Sequence, residues 1–132
     1  MGGIARISVS LPKELLEEFD RVVGEIGLDR SKAVQKAIRA FISEHAVRKG
    51  GTGAGAIIYV YDHTVKGVEH DLTEGQHRFR DVITSTMHIH LDERRCLEIT
   101  AVHGDVGRIR ELSRRIARNR GVQQLKQIIL SV

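Results

Sequence analysis

The chain has 132 residues, 41% hydrophobic and 29% charged, with one cysteine and no tryptophan; that suffices for packed cores of Leu, Ile and Val and excludes an internal disulfide framework. Its formal charge of +4 is shared between halves, 9 basic against 7 acidic residues through Gly50 and 12 against 10 beyond it, so charge alone does not point to nucleic acid. No run approaches the length of a membrane span and the opening MGGIARISVSLP lacks an apolar signal-peptide core, so the expectation is a cytoplasmic protein without a membrane partner.

The first segment, ARISVSL, alternates: Ile7, Val9 and Leu11 fall on one face of a strand and Arg6, Ser8 and Ser10 on the other. Pro12 suits the first turn of a helix carrying Leu15, Leu16, Phe19, Val22, Val23 and Ile26 at helical spacing, with Gly27 just past its end. Asp29 is placed to cap a second helix whose apolar stripe is Ala33, Val34, Ala37, Ile38, Phe41 and Ile42. One strand and two amphipathic helices cannot close a core, because the strand leaves both edges unpaired. Two copies that pair their strands can. The resulting antiparallel ribbon has the width of a DNA major groove, with Arg6, Ser8 and Ser10 turned to the base edges. The alternative is an ordinary dimerisation strand with solvated polar residues.

RKGGTGAGA, Arg48 to Ala56, holds four glycines in nine residues and reads as a flexible hinge. It divides the chain into 1–48, a Gly-rich hinge at 49–55, and 56–132. Beyond the hinge come a strand at AIIYVYDH, a helix from His70 to about Ile83, strands at TMHIHLD and CLEITAVHG, a helix from Val106 to Asn119, and a last strand in GVQQLKQIILSV. The order βαββαβ builds an antiparallel sheet with two helices on one face, a ferredoxin-like arrangement, and makes the fold class α+β.

His88 and His90 are two residues apart and so share one face of their strand. LDERR, between His90 and Cys96, suits a hairpin turn that folds Cys96 back beside them. Two nitrogens and one sulfur suit Zn, Ni, Cu or Co, with the cysteine bound as thiolate. Two exposed histidines beside a buried structural cysteine fit the same spacing, and a histidine-activated nucleophile lacks an orienting third group.

The strand-helix-helix unit, with its DRS step opening the second helix, resembles the ribbon-helix-helix family of DNA-binding proteins. HIHLDERRCLEI, with YVYDH and GQH before it and the GD and GV steps after it, resembles the signature of the nickel-responsive regulators (NikR), and the resemblance covers nearly the whole chain. It implies a ribbon-helix-helix (βαα) domain followed by a βαββαβ domain of the ACT type that binds metal and tetramerises. It further implies a homotetramer, a dimer of dimers, that binds a double-stranded DNA operator, represses nickel uptake and catalyses no reaction. By the same resemblance Ni(2+), one per subunit, is held by His88, His90 and Cys96 of one subunit and His77 of a neighbour, with Tyr61, Gln76 and Glu98 supporting the ligands through hydrogen bonds. Two departures stand out. Lys32 and Lys36 replace acids that help hold a second cation in the family, so no cation site is expected there; GVQQLKQI lacks the usual His-Gly step after Gly-Val. Rival readings are the same architecture answering to another ion or a small molecule, and a non-regulatory metal-binding protein or metalloenzyme.

Overall fold

The structure, a computed structural model, describes residues 2–132. Packing divides the chain between Phe41 and Ile42 into two units. In the first, residues 2–11 carry no regular secondary structure, so the strand expected over ARISVSL is not formed in the single chain. The reason is physical: a strand persists by exchanging hydrogen bonds with a neighbour, and this segment has none, leaving Ile7 73% and Val9 67% exposed. Pro12, at φ −55°, precedes helix α1 (Lys13–Glu25), and Gly27 turns the chain with a left-handed φ of 71°. Asp29 caps helix α2 (Arg30–Lys49) as expected, its Oδ1 accepting from the Lys32 amide at 2.8 Å. Val23 and Ala33 are buried, but Leu15, Val22, Ile26, Ile38 and Phe41 remain exposed.

The second unit has the expected element order: β1 (Thr52–Asp62), α3 (Val68–Arg78), β2 (Ile83–His90), β3 (Arg95–Asp105), α4 (Val106–Ala117) and β4 (Val122–Ser131). The sheet order is β2-β3-β1-β4 with every pair antiparallel, as a ferredoxin-like βαββαβ unit requires. Most boundaries shift by a few residues, and two shifts change how a segment is read. Ile83 opens β2 and does not end the preceding helix. β1 begins at Thr52, so Gly53 and Gly55 are strand residues and not hinge. A Cβ at Gly55 would collide with the carbonyl oxygen of Ile128, and one at Gly53 would come within 2.7 Å of Ile129 Cγ2. These glycines let the backbone of β4 approach closely; the turn itself is Gly50 and Gly51, at φ 101° and 87°.

Alternation along the strands places Ile57, Tyr59 and Tyr61 of β1 and Cys96, Glu98, Thr100 and Val102 of β3 on the buried side. There all but Glu98 and Thr100 form one hydrophobic core with Val68 and Leu72 of α3 and Ile109, Leu112 and Ile116 of α4. Asp105 starts α4, its carboxylate accepting from the Arg108 amide at 2.9 Å.

Candidate metal centre

Register pairs His88 with Glu98 and His90 with Cys96 across β2 and β3, so both imidazoles project on the face that carries the thiol. The hairpin expected in LDERR is held by Asp92, whose Oδ1 accepts from the amides of Arg94 at 3.0 Å and Arg95 at 2.7 Å. Its Oδ2 accepts from Arg95 Nε at 2.8 Å. These backbone donors, first Arg95 and then Arg94, draw the Asp92 carboxyl down to about 2. His63 supports the same turn from the end of β1, with Nε2 2.7 Å from the carbonyl of Glu93.

The turn brings one potential ligand atom each of His88, His90 and Cys96 within 4.8 Å of one another. Cys96 Sγ is 3.6 Å from His90 Nδ1, and the two imidazole centroids are 4.9 Å apart. The histidines are exposed and the cysteine is 1% exposed. Burial pushes the Cys96 thiol up, while the neighbouring Tyr61 hydroxyl works in the opposite direction. Two imidazoles open to solvent and a thiol at the core edge fit a borderline-soft divalent ion approached from outside, with the thiol giving up its proton on coordination.

Of the supporting residues, Tyr61 touches a ligand directly: its hydroxyl is 3.4 Å from His88 Nδ1, and the two rings meet edge to face. Burial and then the charge of Glu98 raise the tyrosine's pKa, keeping the phenol protonated. Gln76 and Glu98 act one step further out. Glu98, 6% exposed, accepts from Tyr59 Oη at 2.7 Å and from Gln76 Nε2 at 3.1 Å, which ties α3 to the strand beneath the histidines. Tyr59 was not among the residues singled out from the sequence, yet it lies two residues before Tyr61 and so on the same strand face, which was the available signal. Burial, then the charge of Glu98, raise its pKa as well.

His77 does not join the cluster within one chain. It sits exposed in the last turn of α3. Arg6, Ser8 and Ser10 are exposed in the segment without regular structure, and Lys32 and Lys36 are exposed on α2.

The model of the NikR C terminal nickel binding domain matches residues 54–130, a span holding all four histidine and cysteine positions of the expected ligand set. The chain belongs to the NikR family. Proteins named "Putative nickel-responsive regulator" from Methanocaldococcus jannaschii and Thermococcus onnurineus are 43% and 41% identical to it. The first alignment covers 95% of this chain and 91% of that protein, the second 96% and 93%. A "Putative nickel-responsive regulator 2" of Methanothermobacter thermautotrophicus is 42% identical over 92% of this chain and 89% of its own length. These NikR relatives match the N-terminal unit as well as the sheet domain.

Proposed function

We propose that this NikR-family chain is a nickel-responsive, sequence-specific DNA-binding transcriptional regulator, a repressor of nickel uptake that acts in the cytoplasm as a homotetramer, a dimer of dimers. The observation that carries the reading is the convergence of His88, His90 and Cys96 on one point at the edge of the sheet, in a chain whose family model is a nickel-binding domain. In this reading each subunit holds one Ni(2+) through those three side chains and His77 of a neighbouring subunit. Four strong-field nitrogen and sulfur donors favour the square-planar arrangement that Ni(II) adopts readily and Zn(II) does not.

The chain's own residues supply the coupling. Cys96 binds as thiolate, and the Tyr61 hydroxyl donates toward the site and orients His88. Ligands drawn from two subunits converge in only one arrangement of those subunits, so metal binding and that arrangement favour each other. If the same arrangement spaces two strand ribbons to match operator half-sites, metal tightens DNA binding and DNA tightens metal binding by the same factor. The uncovered Ile7, Val9, Leu15 and Phe41 support a DNA-binding unit that is completed by a second copy, with Arg6, Ser8 and Ser10 facing the groove. Lys32 and Lys36 leave the region of the family's second cation with ammonium groups in place of acids, and no second cation is expected to bind there.

Selection of binding sites from a randomised duplex DNA pool, with and without Ni(II), tests this reading. Enrichment of a two-fold symmetric site only when nickel is present is the expected result; no enrichment under either condition would refute the regulator.

A further inference from the structure

A second concave site lies away from the metal ligands, between α3, α4 and the sheet. It encloses about 260 Å³, below the usual ~300–1,000 Å³ of pockets for drug-sized ligands, so an occupant would be small. Its walls divide by chemistry. Leu72, Ile83, Leu112 and Ile116 form the apolar part, and Thr100 on β3 lies among them. Arg115, Arg118 and Asp71 line the same cavity.

Two features of these residues are unexplained by the fold. Thr100 is 1% exposed, and its hydroxyl is the buried side-chain polar atom that has no hydrogen-bond partner among the described residues. Tyr59, on the paired strand β1, donates its own hydroxyl to Glu98. Buried hydroxyls are nearly always paired. Arg115 and Arg118 form none of the ion pairs found among the described residues, whereas Arg108 on the same helix is paired with Asp81 and Glu111. Arg115 is also placed: it crosses to α3, where a Cβ on Gly75 would lie 3.2 Å from its Nε. An ordered water could meet the Thr100 hydroxyl, but it would give neither guanidinium an anionic partner; Arg118 Nε donates to the Arg114 carbonyl at 3.3 Å, which leaves its terminal nitrogens for a ligand.

The geometry points to a binding site for a small organic carboxylate, its carboxylate on Arg115 and Arg118 and a hydrogen-bonding group at its other end on Thr100. Guanidinium groups match the planar carboxylate with paired donors, and the apolar wall accepts the carbon skeleton between the two ends. Asp71 adds one acceptor for a hydroxyl on the ligand and, by its charge, disfavours highly charged anions. None of the four residues expected to bind nickel, His77, His88, His90 and Cys96, lines the cavity.

The test is a ¹H–¹⁵N NMR titration of the full-length, metal-free protein with lactate, succinate and inorganic phosphate, so its outcome does not depend on the nickel reading. Tyr59 and Gln76 also line the cavity but hold Glu98, so the variants are Arg115→Ala and Thr100→Val, with thermal melting as the check on folding. The site predicts saturable shifts with lactate or succinate centred on Gly75, Thr100 and Leu112. It predicts affinity at least about tenfold lower in Arg115→Ala, and weaker binding in a Thr100→Val protein that still folds. No saturable shift with either carboxylate would overturn the assignment. So would binding that both variants leave unchanged, or binding of phosphate alone.

Discussion

Cys96 Sγ lies 3.6 Å from His90 Nδ1 across the β2–β3 ladder, with the sulfur buried and the imidazole open to solvent. That pairing sets the chemistry of the site. Burial holds the thiol in its neutral form to higher pH than usual, and coordination requires the thiolate, so metal uptake must release the proton. Below the raised pKa, apparent nickel affinity is therefore predicted to rise with pH, by about tenfold per unit for one proton released. Calorimetric titrations in buffers of different ionisation enthalpy count that proton. An affinity independent of pH between neutral and mildly alkaline conditions would show that the thiol does not bind.

The Tyr59–Glu98–Gln76 network is predicted to be structural first. Tyr59→Phe keeps the ring and removes the 2.7 Å bond to a buried carboxylate, which should cost about 1.5–3 kcal/mol in urea unfolding. Nickel binding should persist, because Tyr59 contacts none of the ligands. A Tyr59→Phe protein as stable as the parent would mean that the Gln76 bond alone satisfies Glu98 and that the Tyr59 hydroxyl adds no net stability.

Gly55→Ala tests the close approach of β1 and β4. The added methyl would overlap the Ile128 carbonyl, and relief requires the strands to separate. A loss at or above the upper end of the ~1–3 kcal/mol typical of overpacking is expected, read by denaturant unfolding. Gly51→Ala at φ 87° has open space around it and should cost only about 1 kcal/mol of backbone strain. Equal effects at the two positions would contradict a packing role for Gly55.

Metal and DNA functions should separate by mutation. Arg6→Ala is predicted to weaken operator binding by about 10- to 100-fold, the worth of one bidentate guanine contact, and to leave the nickel titration unchanged. His90→Ala should abolish the nickel response while leaving the N-terminal unit folded. A nickel affinity that falls in Arg6→Ala as far as in His90→Ala would remove the division between the two units.

What the sequence made legible follows the range of the interactions involved. The Asp29 cap, the turn in LDERR and the shared face of His88 and His90 depend on neighbours a few residues away, and each is found where its spacing places it. The glycines of RKGGTGAGA show why composition can mislead. Flexibility and close backbone approach both select glycine, and only the pairing of β1 with β4, more than seventy residues away in the chain, separates Gly55 from Gly51. Tyr59 escaped notice for a similar reason, since its partner Glu98 is joined to it by strand pairing and not by sequence proximity. The strand expected at Ile7 to Leu11 needs an edge that this chain does not supply, and no reading of one copy could show it formed.

The most direct measurement is a titration of the metal-free protein with Ni(II), followed by absorption spectroscopy and repeated with Cys96→Ala and His77→Ala. A saturable thiolate-to-nickel band of the low-spin planar type at one nickel per subunit is expected. Cys96→Ala should lack the band, and His77→Ala should bind nickel without the planar spectrum. A wild-type protein that shows no such band, or a band that survives in Cys96→Ala, would contradict the assignment of His88, His90 and Cys96 as the nickel centre.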